Sequence, residues 1–204
     1  EKVLLGPERK TRVISDLDKK ITAYHEAGHA VVGHYLKNSD PVRKVSIISR
    51  GQAGGYTLKM PTEDKHYHTL AQFKDELAMT LGGYVVEKLI FGDERISTGP
   101  YSDLRTATGV AHDMVTRYGM SSMGPRTFGE HHEMIFLGRE ITEQRDYSEK
   151  TAEEIDKAVA ILLDEAVKRA RETVLAHKEK LEELVKALME KETVTRHPAN
   201  APTR

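Results

Sequence analysis

The sequence lacks cysteine altogether, so none of its 204 residues carries a thiol. This absence excludes a disulfide framework and any metal site built on thiolates. Histidine and carboxylate side chains would therefore have to supply the ligands of any bound metal ion. The lack of cysteine also fits a protein that works in a reducing compartment.

The sequence also lacks a long hydrophobic run and a large net charge of either sign. Its longest apolar run, residues 158–163, is far shorter than the roughly 20 residues of a membrane-spanning helix. The beginning of the sequence has no apolar core of the kind a signal peptide needs, so we expect it to come from the middle of a longer protein. With 31 basic and 32 acidic residues, the net charge of −1 gives no reason to expect a nucleic-acid partner.

The composition predicts one substantial, soluble and helix-rich domain. Charged residues make up 31% of the sequence and hydrophobic residues 38%. Residues 1–14 are charged and contain Gly6 and Pro7, which predicts a linker from an upstream domain. We expect the folded domain over residues 15–192, with C-terminal helices over 151–192, and a disordered tail over 193–204.

The most informative stretch is a His-Glu-x-x-His motif in which His25 and His29 enclose Glu26. An apolar stripe and an N-cap at Ser15 predict a helix from there to about Lys37. On a helix the two imidazoles lie one turn apart on the same face, close enough to bind one metal ion. Glu26 then points about 100° away from His25, towards a metal-bound water rather than the metal. The motif alone leaves a chance match on a polar helix face open.

The other segments predict a mainly α-helical fold with a small β-hairpin. Alternating residues over 42–49 and a short run at 56–58 predict two strands joined by a glycine-rich turn. A capping box at Thr69 predicts a helix that runs to Gly92, and another at Thr151 predicts a long amphipathic helix. A break near His177 would turn the C-terminal helices into a helical hairpin, packed on the core or on a neighbouring subunit.

Gly82 and Gly83 lie inside the first of these predicted helices, where each costs roughly 1 kcal/mol relative to alanine. We expect either a close approach of another backbone at this point, the motif helix being the first candidate, or a simple packing adjustment. A loop without helical or strand periodicity is predicted over residues 120–147.

Catalytic zinc sites have three protein ligands, so the two histidines require a third residue. Glu87 lies on a predicted helix, and Asp103 lies at the beginning of the next helix, which Ser102 or Asp103 itself is expected to cap. Either carboxylate could be the ligand, because Glu87 could equally be an ion-pair partner and Asp103 only a cap. Spacing along the sequence does not choose between them.

Over residues 2–192 the sequence resembles the peptidase domain of FtsH-type ATP-dependent zinc metalloproteases, membrane-anchored AAA proteases of bacteria, mitochondria and chloroplasts. The resemblance rests on a series of short motifs in the same order: Leu5-Gly6-Pro7, Tyr24-His25-Glu26-Ala27-Gly28-His29-Ala30, Gly54-Gly55-Tyr56-Thr57, Leu81-Gly82-Gly83, Phe91-Gly92, Ser97-Thr98-Gly99, Ser102-Asp103-Leu104, Tyr118-Gly119-Met120, Phe136-Leu137-Gly138 and Tyr147-Ser148-Glu149.

The resemblance implies a role for each site residue. His25, His29 and Asp103 are expected to bind one Zn²⁺ per chain, with Glu26 as the general base that acts on a zinc-activated water. Glu87 is expected either to orient one of the ligand histidines or to be the alternative ligand. Substrate is expected to bind along Gly54, Gly55, Tyr56 and Thr57 as an added β-strand, although these residues could also be an ordinary buried hairpin.

The resemblance also implies partners that this sequence does not contain. It has no phosphate-binding loop, so ATP and Mg²⁺ are expected only in an ATPase module upstream in the parent polypeptide. The parent is expected to be a homohexamer anchored in a bacterial inner membrane or an organellar membrane, with this domain on the cytoplasmic, reducing side. Its expected substrates are unfolded, damaged or membrane proteins. The alternative is a catalytically inactive, chaperone-like or scaffolding member, which typically loses a ligand or the base.

Overall fold

The computed structural model describes residues 15–49, 54–60, 67–129 and 146–195. Its helices are α1 (Asp16–Tyr35), α2 (Leu70–Thr80), α3 (Gly82–Phe91), α4 (Tyr101–Thr116), α5 (Glu149–Ala176) and α6 (Lys178–Lys191), with a short 3₁₀ turn at Asp93–Arg95. Its strands are β1 (Val42–Ser46), β2 (Tyr56–Lys59) and β3 (Thr193–Thr195). The fold is therefore mainly α with one small sheet, as the sequence predicts. None of the helices in these ranges has the length and apolar character needed to cross a membrane.

Helix α1 is the central element of the domain. The side chain of Ser15 caps it by accepting a hydrogen bond from the Asp18 N–H at 3.1 Å. Helices α2, α3, α5 and α6 and both strands of the hairpin pack against it. From Ala23 to Gly33 the residues of α1 are buried except for His25, which is partly exposed. The helix that carries the motif is thus held from several sides at once.

Helix α1 approaches the two glycines closely, as their presence suggests. The predicted long helix is divided at this point. A Cβ atom on Gly28 would lie 2.5 Å from the Gly82 carbonyl oxygen, and one on Gly83 would lie 2.5 Å from His25 Cε1. The sequence predicts one helix up to Gly92; the structure divides it at Leu81 into α2 and α3. The predicted capping box of Thr69 with Gln72 is present at the beginning of α2.

Gly82→Ala is expected to lower the free energy of unfolding by about 1–3 kcal/mol, because its Cβ would lie 2.8 Å from the Gly28 carbonyl oxygen. Gly109→Ala is the matched control. Gly109 is exposed in α4 and its Cβ would meet nothing within 4 Å, so alanine there should add about 0.5–1 kcal/mol. Urea denaturation of the two variants measures both effects. A neutral Gly82→Ala would contradict the backbone contact.

The sheet contains one strand more than predicted. β1 pairs antiparallel with β2, as expected of a hairpin, and on its other side with β3. Residues 193–195, assigned from sequence to the disordered tail, are therefore part of the domain. The Ser46 and Thr193 hydroxyl oxygens lie 2.8 Å apart, and the Ile47 N–H donates to the Glu192 carbonyl at 2.9 Å. Residues 196–204 lie outside the described residues, as do residues 130–145 of the predicted loop.

Two helix beginnings differ from the prediction by two or three residues. The C-terminal helix α5 begins at Glu149 rather than Thr151, because Ser148 serves as the N-cap and accepts the Thr151 N–H. Helix α4 has Pro100 at its N-cap position, where no side chain caps it. Asp103 is therefore inside the first turn rather than at the cap. The predicted break at His177 separates α5 from α6, and both of these helices pack against α1.

A buried carboxylate joins α2 to the segment that follows α1. Asp75 is fully buried, and its Oδ2 accepts hydrogen bonds of 2.9 Å from both the backbone N–H and the side-chain amide of Asn38. Arg169 on α5 has its Nη2 at 2.8 Å from Asp75 Oδ1, an ion pair at a half-exposed arginine. Among the described residues no group makes a hydrogen bond of good geometry to that oxygen.

Asp75→Ala is expected to lower the free energy of unfolding by about 2–3 kcal/mol, because it leaves the Asn38 N–H without its charged acceptor. Arg169→Ala should cost less, about 1 kcal/mol, since the arginine is half exposed and the buried Asp75 keeps both of its hydrogen bonds from Asn38. Thermal denaturation of the two variants in parallel tests the difference. Equal losses would assign the stabilisation to the ion pair instead.

Candidate active site

Helix α1 presents the two histidines of the motif to the same point. The Nδ1 of His25 lies 2.8 Å from Glu87 Oε1, and the Nδ1 of His29 lies 2.8 Å from the Met79 carbonyl oxygen. A carbonyl oxygen only accepts hydrogen bonds, so the proton of a neutral His29 ring is on Nδ1. Both rings therefore have their Nε2 atoms directed away from these partners. The two Nε2 atoms are 3.0 Å apart.

Asp103 completes this cluster from the first turn of α4. Its Oδ2 lies 3.1 Å from His25 Nε2 and 3.4 Å from His29 Nε2. Within the described ranges, these three residues form the one group of histidine and acidic side chains whose ligand atoms lie within 4.8 Å of one another. The structure thus brings together two nitrogen donors and one oxygen donor from two helices.

The chemistry of these donors fits a zinc ion. Two imidazole nitrogens and one carboxylate oxygen are a common set for catalytic zinc, whereas Mg²⁺ and Ca²⁺ prefer oxygen ligands throughout. The partners on Nδ1 fix the orientation of both rings, so that each Nε2, once deprotonated, can coordinate the ion. Two facing Nε2 lone pairs repel each other unless a proton or a cation lies between them. The residues present therefore fit the metal that the sequence motif predicts.

Glu87, the other carboxylate left open by spacing, lies on the far side of the His25 ring. It is 1% exposed in α3, with Oε1 on His25 Nδ1 and Oε2 accepting the Ser97 N–H at 2.9 Å. Burial alone would raise the pKa of Glu87, but the hydrogen bonds from His25 and Ser97 outweigh it and lower that pKa. Both of its oxygens are thus occupied, and neither faces the Nε2 cluster.

Glu26 lies next to the cluster and is almost completely buried. It is 7% exposed, and its Oε2 accepts a 2.8 Å hydrogen bond from the hydroxyl of Thr57 on β2. Gly55 makes this contact with the strand possible, because a Cβ there would lie 2.9 Å from Glu26 Cγ and 2.7 Å from the Ser46 carbonyl oxygen. The carboxylate therefore lies between α1 and the beginning of β2.

Burial and neighbouring charges shift the pKa values of these groups in different directions. Burial raises the pKa of Glu26, against the opposing effect of His29 and His25. Burial would also raise the pKa of Asp103, but hydrogen bonds with His25 and His29 hold it well below its usual range. For His25 burial lowers the pKa, but hydrogen bonds with Asp103 and Glu87 more than compensate and raise it to about 10. A base with a raised pKa beside an ionised aspartate suits proton transfer near neutral pH.

All the site residues predicted from the sequence line one cavity of about 860 Å³. They are His25, Glu26, His29, Gly54, Gly55, Tyr56, Thr57, Glu87 and Asp103. Two groups that the sequence analysis did not predict are the carbonyl of Met79 and the N–H of Ser97, which bond to His29 and Glu87. Both are backbone groups: every residue type offers a carbonyl, and every type except proline offers an N–H.

Metallopeptidases are the class of enzyme in which one helix pairs two histidines with an adjacent glutamate in this way, and the fold and site place the chain in that class. Comparison with known proteins gives the particular family. The chain belongs to peptidase family M41, whose family model matches residues 12–201.

Similar proteins carry the names of zinc metalloproteases. The chain is 50% identical over 202 residues to the ATP-dependent zinc metalloprotease FtsH 1 of Sphaerobacter thermophilus. The matched region covers 98% of this chain and 31% of that protein. It is 50% identical over 191 residues to ATP-dependent zinc metalloprotease FtsH of Chloroflexus aggregans, covering 93% of this chain and 29% of the relative. The chain thus spans about a third of the length of these relatives.

Proposed function

We propose that the chain is the zinc-dependent endopeptidase module of a membrane-anchored, ATP-dependent protease that degrades unfolded, damaged or membrane proteins. The observation that carries the proposal is the meeting of His25 Nε2, His29 Nε2 and Asp103 Oδ2 in one cavity beside Glu26. The relatives' names, which combine ATP dependence with zinc proteolysis, support the same function.

His25, His29 and Asp103 would hold the zinc ion, and Glu87 would orient His25. When bound, Zn²⁺ supplies the Lewis acidity that activates a water molecule and polarises a peptide carbonyl. Glu26 accepts the proton that the attacking water loses and then donates it to the nitrogen of the leaving amine. Its raised pKa makes the carboxylate a stronger base than an exposed glutamate.

The substrate would bind in extended form along β2. This strand lies at the edge of the sheet, paired with β1 on one side, and Gly54 to Thr57 line the cavity. A peptide added as a further antiparallel or parallel strand would be held mainly by backbone hydrogen bonds. Recognition through the backbone explains how one site could accept many sequences, as a protease of unfolded proteins requires.

The remaining features of the proposal concern the parent protein. Residues 1–14 would link this domain to an upstream ATPase module in the same polypeptide, and six such chains would form a ring. The parent would be anchored in a bacterial inner membrane or an organellar membrane, with this domain on the cytoplasmic side. The chain's match to about a third of each relative is consistent with a parent that contains further domains.

The test combines metal analysis with cleavage of an unfolded protein such as casein. We expect one zinc ion per chain, loss of cleavage after chelation, and recovery when zinc is added back. The control is a chain treated with chelator that is already saturated with zinc. Failure to bind zinc would refute the proposal. Zinc binding without cleavage would indicate either a site that needs its ring or ATPase partner, or the inactive, scaffolding alternative.

A further inference from the structure

The hydroxyl of Thr57 is bonded to the same residue that the proposed mechanism uses as its base. It lies 2.8 Å from Glu26 Oε2 and 3.2 Å from the Glu26 backbone carbonyl. Among the residues that the structure describes, no other side chain donates a hydrogen bond to this carboxylate. A hydroxyl has one proton to donate, and the shorter distance assigns it mainly to the carboxylate.

The backbone around Thr57 fixes the position of this hydroxyl. Thr57 pairs with Val45 in the centre of the β1–β2 ladder, and Val45 in turn pairs with Val194 of β3. Gly55, two residues before Thr57, lies so close that a Cβ would be 3.0 Å from Glu26 Oε1. The same short segment thus crowds one carboxylate oxygen and donates a hydrogen bond to the other.

We propose that Thr57 is a positioning residue that holds the Glu26 carboxylate in its productive rotamer by occupying Oε2, so that Oε1 is the proton acceptor. This inference rests on the proposed role of Glu26 as the general base. In the proton transfer the O–H bond of water breaks as a new O–H bond forms at Oε1, and the proton then passes to the leaving nitrogen. Thr57 keeps its own proton throughout.

The position of Thr57 on β2 connects this role to substrate. The strand proposed to receive the peptide is also the strand that carries the hydroxyl, so one rigid element sets both the peptide and the base. Geometry of this kind has a large effect on rate, because a displacement of about 1 Å in a reacting group can cost about 10²-fold. A purely structural role is the alternative, in which the hydroxyl only anchors β2 to α1 through the Glu26 carbonyl.

The experiment uses Thr57→Val, which keeps the shape and removes the hydroxyl, and Thr57→Ser, which keeps the hydroxyl. Thr108→Val is the matched control, since the Thr108 hydroxyl bonds to the Leu104 carbonyl of its own helix at 2.8 Å, away from the cavity. We expect Thr57→Val to lower kcat by about 10- to 100-fold with little change in KM. Thr57→Ser should recover most of kcat, and Thr108→Val should leave kcat unchanged.

A second readout does not depend on activity. In zinc-free protein, the melting temperatures of Thr57→Val, Glu26→Ala and the double variant form a cycle that measures the coupling between these side chains. We expect the two single effects to be non-additive. The absorption spectrum of the Co²⁺-loaded chain should be the same in Thr57→Val and in the unaltered protein, because the hydroxyl touches no proposed ligand.

The outcomes separate this inference from the function on which it rests. Cleavage that disappears in Glu26→Gln but persists at full kcat in Thr57→Val overturns the positioning role alone. A kcat equally low in Thr57→Ser and Thr57→Val, with additive melting temperatures, assigns Thr57 a structural role and also overturns it. Absence of zinc-dependent cleavage by the unaltered chain would overturn the proposed function together with this inference.

Discussion

Glu26→Gln is expected to lower the rate of peptide cleavage by about 10²- to 10⁴-fold, the usual contribution of a general base, while zinc remains bound. Glutamine has nearly the shape of glutamate, but its amide does not accept a proton from water at neutral pH. The Thr57 hydroxyl can still bond to the amide oxygen, so the side chain keeps its place against β2. Single-turnover cleavage of a fluorogenic peptide and zinc content by atomic absorption measure the two effects separately.

Glu183→Gln is the control for the loss of one negative charge. Glu183 lies on the exposed surface of α6, where it pairs with Lys180, outside the cavity that contains Glu26. Its variant should cleave at the unaltered rate. Full activity of Glu26→Gln would refute its role as the base, and loss of zinc in that variant would make Glu26 a fourth ligand.

The second large effect concerns the affinity for zinc. Asp103→Ala is expected to weaken zinc binding by more than about 100-fold, because it removes one of the three proposed ligand atoms. Glu87→Ala should weaken it by about 10- to 100-fold, the range typical of residues that orient a ligand. The structural reason is that Asp103 Oδ2 faces the Nε2 atoms, whereas Glu87 bonds to Nδ1 of His25. Competition with a fluorescent zinc chelator measures both dissociation constants.

Glu87 is completely buried, so its alanine variant also leaves a cavity and a Ser97 N–H without an acceptor. Glu87→Gln is the control that keeps the volume and one carbonyl oxygen. Its zinc affinity should lie between those of Glu87→Ala and the unaltered chain. The reverse order, with a larger loss at Glu87 than at Asp103, would move the third ligand to Glu87.

Several features encoded by short, local patterns are predicted well from the sequence, although the caps expected at Thr151 and at Ser102 or Asp103 lie at Ser148 and Pro100 instead. The N-cap at Ser15, the capping box at Thr69 and the break at His177 each depend on a few neighbouring residues, and each is present. The contact between Gly28 and Gly82 was also suggested, because two adjacent glycines inside a helix indicate that some neighbour requires the space. The division of the helix at Leu81 was not predicted, because that tertiary contact decides it.

Features that depend on distant residues were not accessible in the same way. β3 consists of three residues, too few to show alternation, and its partner strand lies about 150 positions earlier in the chain. The positions of Glu87 and Asp103 along the sequence could not separate a ligand from its neighbour. The difference is which ring nitrogen each carboxylate faces, and only the packing of α3 and α4 around α1 determines it.

The pairing of β1 with β3 has a consequence for how the protein is made. Ribosomes release the chain from its amino end at roughly 5–20 residues per second, so α1 and the hairpin emerge well before β3. The sheet that carries Gly55 and Thr57 gains its third strand only when residues 193–195 arrive, on the order of ten seconds after β1. Helix α6, which packs on α1 and accepts a hydrogen bond from Tyr24 at Glu182, also emerges long after α1. A nascent chain therefore carries His25, Glu26, His29 and Asp103 for some time before β3 and α6, which support the sheet and α1, are in place.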